Sequence, residues 1–99
     1  MSKTHIKLNS VIYSLADFKN ILGIHKENYN NFEYYSFAVS LQNNKEIEIT
    51  ISNSSGSSNN IYSENPEKYS NYLRNRLIEL WENFQRENIY EIQNIAKII

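Results

Sequence analysis

The stretch FEYYSFAVSLQNNKEIEITIS, residues Phe32 to Ser52, decides the fold of this chain. Tyr35, Phe37, Val39 and Leu41 alternate with Tyr34, Ser36, Ala38 and Ser40, and Ile47, Ile49 and Ile51 alternate with Glu46, Glu48, Thr50 and Ser52. A hydrophobic period of two belongs to half-buried strands, whose successive side chains point to opposite faces. Paired residues must share a face, so the pattern predicts Val39 opposite Ile47, Phe37 opposite Ile49 and Tyr35 opposite Ile51. That register requires an odd-numbered loop centred on Asn43, and Gln42-Asn43-Asn44 provides it. Its last position needs left-handed backbone, which asparagine accepts more readily than most residues.

Towards the C-terminus, the polar run SNSSGSSNN (52–60) reads as a flexible connection. Asn65 and Pro66 then open a long helix: asparagine caps exposed amides, and proline at the first helical position loses no hydrogen bond. At 100° per residue, Tyr69, Leu73, Leu77, Leu80 and Phe84 fall within about 40° of one direction, a stripe that predicts the core-facing side. Asn71, Asn75, Glu82 and Arg86 occupy the opposite side. Ile78 and Trp81 lie on a flank outside the stripe and call for a cover of their own. Ile89 is about 160° out of phase with Leu73, which predicts a break near Glu87-Asn88 and a separate short helix near 89–98.

Towards the N-terminus, Ile6–Leu8 and Val11–Tyr13 flank Asn9-Ser10 and read either as a tight hairpin or as one bent strand. Ser14 suits an N-cap, and Leu15, Phe18, Ile21 and Leu22 form a stripe that Gly23 can end, predicting a two-turn helix near 15–22. His25 to Asn31 is polar and Asn-rich without periodicity, and reads as a loop. The sequence therefore predicts a single α+β domain over 1–99. In it a small antiparallel sheet, with its main hairpin at about 33–52 and a short N-terminal strand or hairpin, packs against a long C-terminal amphipathic helix, with short helices near 15–22 and 89–98.

Ninety-nine residues suffice for one modest core. Ten basic against eleven acidic residues leave a net charge of -1, too little for a global field that would gather a polyanion or an anionic membrane. With no cysteine, disulfides and thiolate metal sites are excluded. Asn, Ile, Tyr and Lys make up 45 of the 99 residues, a skew that follows AT-rich codons and points to a bacterial or phage genome. No secretory signal or membrane span is read, so a cytoplasmic protein is expected.

Chemistry-bearing patterns are sparse. His5 and His25 stand twenty positions apart without ligand spacing, so no metal or other cofactor is expected. G-x-S-x-G and P-loop patterns are missing, and Glu46 and Glu48 share a strand face among hydroxyl residues, a wet surface rather than the partly desolvated site that general acid-base work needs. An enzyme is not expected. Tyr34 projects among small residues, and Tyr29, Tyr62 and Tyr90 lie in or beside polar segments; amphipathic tyrosine is enriched at recognition surfaces. The main hairpin also offers an edge for strand addition.

The expected function is that of a non-catalytic binding module docking on a larger protein, with Tyr34, Ile78, Trp81, Ile89, Ile98 and Ile99 as candidate contacts and homo-oligomerisation as an option. The layout of hairpin and trailing helices resembles, in architecture, small phage-encoded inhibitors such as anti-CRISPR proteins. That resemblance implies an inhibitor of a host enzyme or defence complex. The competing expectation is a homo-oligomeric sponge for an anionic small ligand or nucleotide, held by Ser55, Ser57, Ser58, Lys68, Arg74 and Arg76 at the Ser-rich loop and helix start. Nucleic acid is disfavoured because Glu67, Glu79 and Glu82 dilute the cations around Tyr69 and Tyr72.

Overall fold

The computed structural model describes residues 4–55 and 60–98, with side chains through Glu87. In chain order the elements are β1 (His5–Leu8), β2 (Val11–Ser14), one 3-10 turn (Leu15–Asp17), β3 (Phe18–Ile21), β4 (His25–Tyr29), β5 (Phe32–Leu41), β6 (Glu46–Ser52), β7 (Ile61–Tyr62) and α1 (Pro66–Ile98). Together they make an α+β fold with antiparallel hairpins, a mixed sheet and one C-terminal helix.

β5 organises the sheet. Along one edge it pairs antiparallel with β6, with Tyr35 opposite Ile51, Phe37 opposite Ile49 and Val39 opposite Ile47, the register that the alternation demands. The turn closes with a bond from the Leu41 amide to the Lys45 carbonyl (2.8 Å) and another from the Asn44 amide to the Leu41 carbonyl (3.0 Å). Asn44 holds the left-handed backbone at φ 66°. Along its other edge β5 pairs with β4 through Phe32–Ser36 and with β3 through Val39–Leu41. β7 adds in parallel to β6, with Ile51 opposite Ile61 and Ser52 opposite Tyr62.

Residues 4–14 form the hairpin rather than one bent strand, with Leu8 opposite Val11 and both Asn9 and Ser10 at positive φ. Its two-residue turn has the left-handed pair whose twist matches antiparallel strands. The same device joins β4 to β5, where Asn30 and Asn31 stand at φ 50° and 66° between Tyr29 and Phe32.

Three expectations are corrected. The helix read near 15–22 is one 3-10 turn followed by a strand. Ser14 does cap it, accepting the Ala16 amide at its hydroxyl (3.2 Å), but Phe18 to Ile21 pair with Leu41 to Val39. A bulge between Phe18 and Asn20 inserts a residue, so the two buried residues Phe18 and Ile21 fall three apart and imitate a helical period. A two-turn helix is marginal in water, whereas strand pairing satisfies the exposed edge of β5. Gly23 has no positive φ and ends nothing helical. The loop read at 25–31 is β4 and its turn. The break near Glu87-Asn88, with a separate helix at 89–98, is not formed, because α1 runs unbroken from Pro66 to Ile98.

The position of α1 explains that continuity. Asn65 caps its start, accepting the Lys68 amide at Oδ1 (3.3 Å). Pro66, Ser70 and Leu77 are buried, Leu73, Ile78, Trp81 and Phe84 are half-buried, and Tyr69 is exposed and stacks instead on Tyr72. The contact face is thus turned by roughly 50° from the predicted stripe, at 100° per residue. Ser70 is wholly buried because a small side chain lets helix and sheet approach closely, and its hydroxyl is satisfied by the Glu67 carbonyl (2.9 Å). Measured from Leu77 rather than Leu73, Ile92 and Ile95 fall within about 60° of the contact direction. With no Gly or Pro after Pro66, nothing interrupts the helix.

Core residues Leu15, Phe18, Ile21, Phe37, Val39, Leu41, Ile47, Ile49, Ile51 and Leu77 make one cluster between α1 and the sheet, edged by Ile6, Leu8 and Tyr13 of the first hairpin. Trp81 lies against Phe18, with ring centroids 6.4 Å apart and tilted by 56°. Arg74, on the same flank of α1, ties the far end of β3, donating from Nε to the Leu22 carbonyl (2.7 Å).

Candidate functional site

Because α1 covers one face of the sheet, the opposite face is left to solvent, and the registers state which residues stand on it. Tyr29 pairs with Phe32, Glu27 with Tyr34 and His25 with Ser36. Tyr34 pairs in turn with Ser52, and Ser52 with Tyr62. Paired residues share a face, and so do positions two apart on one strand. Tyr29, Phe32, Tyr34 and Tyr62 therefore gather at one end of the outer face. Tyr29 is 67% exposed, Tyr62 50% and Phe32 42%.

Beyond the aromatic end the outer face is polar. Ser36 and Thr50 share a hydroxyl hydrogen bond across the strands (2.9 Å), and the Thr50 hydroxyl also donates to a Glu48 carboxylate oxygen (3.4 Å). Ser52, flanked by Tyr34 and Tyr62, is fully buried and accepts the Ser54 amide at its hydroxyl (3.0 Å). Glu27, Glu46 and Glu48 are exposed on this face; Lys19, exposed in the β3 bulge beside Asn20, stands at its Ser40–Glu46 end, and among the described residues no Lys or Arg is paired with Glu27 or Glu48. The Asn9 side chain donates to the Glu48 carbonyl (3.0 Å), so the first hairpin touches part of the β6 edge.

On the helix-covered face, the start of α1 meets a small polar cluster. The Tyr35 hydroxyl donates to Glu33 (2.8 Å) and lies 3.3 Å from Glu67. Lys26 pairs with Glu33 at 3.5 Å and stands 5.6 Å from the Tyr35 ring centroid. Burial, then the Glu33 carboxylate, pushes the Tyr35 phenol above its usual range, with Lys26 opposing. The Tyr35 hydroxyl and the Glu33 charge raise Lys26. This cluster ties sheet to helix, and each member already has a partner.

The residues singled out from the sequence are scattered. Tyr34 stands on the outer face, half-buried. Ile78 and Trp81 pack against the protein's own core, so the cover they require is largely internal. Ile89 and Ile98 lie on the last turns of α1, with side chains outside the described residues, as is Ile99. Of the ligand candidates, Ser57 and Ser58 are outside the described residues and Ser55 is exposed. Arg74 is committed to the carbonyls of Ile21 and Leu22, and Arg76 pairs with Glu79 at 3.2 Å. Lys68 lines a shallow cleft of about 350 Å³ with Ser63, Asn65, Tyr69 and Tyr72, whose two tyrosine rings stack at 6.2 Å. Among the described residues, Ser55, Lys68, Arg74 and Arg76 are thus not shown to form one ligand site.

Phe32 and the grouping of Tyr29 and Tyr62 with Tyr34 escape the sequence reading. The signal that finds them is Asn30-Asn31, a pair able to form a two-residue turn and so to make 25–29 a strand. Among the described residues no three His, Asp or Glu side chains gather as a metal site would require, and no helix is long and apolar enough to cross a membrane. No protein-family model matches this chain, and no curated protein or solved structure is significantly similar to it.

Proposed function

We propose that this chain is a non-catalytic binding module that docks on a larger protein through the aromatic end of the outer sheet face. The observation that carries the reading is that four large amphipathic or apolar rings, three from the β4–β5 hairpin and Tyr62 from distant β7, share one uncovered face. Aromatic side chains are enriched where interfaces form, since each buries a large area at the cost of few rotamers. Tyr34 is central to that surface, and Ile89, Ile98 and Ile99 of the tail are further contacts in this reading. In this reading the module acts in the cytoplasm of a bacterial or phage-infected cell as an inhibitor of a host enzyme or defence complex.

The test compares tagged wild-type chain with Phe32→Ser/Tyr34→Ser and with Tyr72→Ser in affinity purification from the native host, followed by photo-crosslinking from position 34. Support is one partner crosslinked at position 34, lost with the double variant and kept with Tyr72→Ser. Equal retention by all three proteins overturns the reading.

The cleft beside the stacked Tyr69 and Tyr72 favours a second reading, reduced from six residues to its local part: a planar anionic ligand lying on the rings with Lys68 at its charge. Thermal shift against a nucleotide panel separates the two, since ligand at one hundred times its Kd adds ~2.7 kcal/mol of stability.

A further inference from the structure

The outer face offers more than apolar area, and its charge selects among partners. Rows across the sheet place Glu27 beside Tyr34 and, farther along, Glu48 opposite Ala38 and Glu46 opposite Ser40, with all three carboxylates exposed. We propose that the segment of the partner protein received by this face is cationic, an arginine- or lysine-rich stretch lying across β4, β5 and β6. This rests on the docking reading and adds the chemistry of the occupant.

Three observations converge on it. Tyr34 with the Glu27 carboxylate in the paired position presents both halves of what a guanidinium binds, a π-face for stacking and an oxygen pair for a forked hydrogen bond. Lys19, exposed in the β3 bulge, is the outer-face cation near the Glu46 end among the described residues, and no Lys or Arg stands at a position paired with Glu27 or Glu48, whereas on the covered side Lys26 compensates Glu33 and sits by the Tyr35 ring. The chain thus satisfies internally, on one face, the arrangement it leaves open on the other. Finally, the net charge of -1 makes the attraction local to this face rather than a property of the whole surface. An aromatic platform of this kind would otherwise suit single-stranded nucleic acid, but the Glu27 carboxylate beside Tyr34 and the Glu48 and Glu46 carboxylates farther along the face repel phosphates.

The experiment titrates the full chain, followed by amide chemical shifts, with three probes: an octapeptide of alternating arginine and glycine, its glutamate counterpart, and octathymidylate. The expected result is binding of the arginine peptide alone, with shifts at Glu27, Phe32, Tyr34, Glu48 and Tyr62. Affinity should fall at least about fivefold between about 0.05 M and about 0.5 M salt, where screening closes to a few ångströms. Glu27→Gln/Glu48→Gln should weaken it about fivefold, as expected for partly exposed cation-π and charge pairs, while Glu82→Gln on the helix leaves it unchanged. Equal binding of the glutamate peptide or octathymidylate, shifts confined to α1, or indifference to Glu27→Gln/Glu48→Gln overturns the inference. If the native partner is still lost with Phe32→Ser/Tyr34→Ser while the arginine peptide fails to bind, the docking reading stands and the cationic occupant falls; loss of both results removes both.

Discussion

Two hairpins share β5, and they are held together by different means. In the β5–β6 hairpin the inward residues Phe37, Val39, Ile49 and Ile51 are all buried, so a slipped register would expose every one of them. In the β4–β5 hairpin every residue of β4 is exposed, so no core contact defines it. What defines it is the Asn30-Asn31 turn, the ladder to β5, and the contacts of Lys26 with Glu33 and Tyr35. One hairpin is specified by burial and the other by turn chemistry. The less buried hairpin is also the one that presents Tyr29 and Phe32, which accords with recognition surfaces being drawn from the less stable parts of a fold.

This contrast can be broken or sharpened experimentally. Phe37→Ala or Leu77→Ala should cost roughly 2 to 5 kcal/mol in urea unfolding, because each empties the shared core beneath α1. A loss below about 1 kcal/mol, which is out of line with cavity costs, would show that burial does not dominate the main hairpin. Placing valine at the left-handed turn positions comes next, at about 1 to 2 kcal/mol each. Asn44→Val should lower global stability by that amount, whereas Asn31→Val should accelerate amide exchange in β4 and leave the β5–β6 amides protected. Equal loss in both hairpins would join them into one cooperative unit.

A smaller effect is expected in alkali. Tyr35 and Lys26 have raised pKa values in the fold, so above about pH 10 the unfolded chain gives up protons that the folded chain retains. Stability present below that pH is therefore lost as pH rises through the folded values. Tyr35→Phe should flatten the decline of the urea midpoint between about pH 8 and about pH 11, and an unchanged slope would place its source elsewhere. Smallest of all, Asn44→Gly should be neutral or stabilising by a few tenths of a kcal/mol, since glycine adopts positive φ without strain but gains freedom in the unfolded chain.

The legible parts of the fold are those where burial writes itself into spacing. The alternation in 35–51 yields the main register, and Asn65-Pro66 marks the start of α1. The misread parts are those where spacing has a second cause. A bulge turned the β3 pair Phe18 and Ile21 into a helical interval, and the phase of the tail was measured from Leu73 when the sheet is met nearer Ser70 and Leu77. Asn9, Asn30, Asn31 and Asn44 all hold positive φ at hairpin turns, and of these the alternation pointed to Asn44 alone, because only there did flanking strands declare the turn. Tyr34 was legible as an outward aromatic and Tyr29 and Tyr62 as tyrosines of polar segments, but their meeting on one face was not, because neither 25–29 nor 61–62 carries an alternation.

The amino-acid order alone determined the inward face of the main hairpin, the length and sense of its turn, and where the long helix begins, because each is set by neighbours within a few residues. Which edge strands β5 recruits, how α1 is rotated on the sheet, and which rings meet on the uncovered face were decided only by the assembled chain. Those outcomes depend on pairings between distant segments whose own sequences are compatible with more than one local structure.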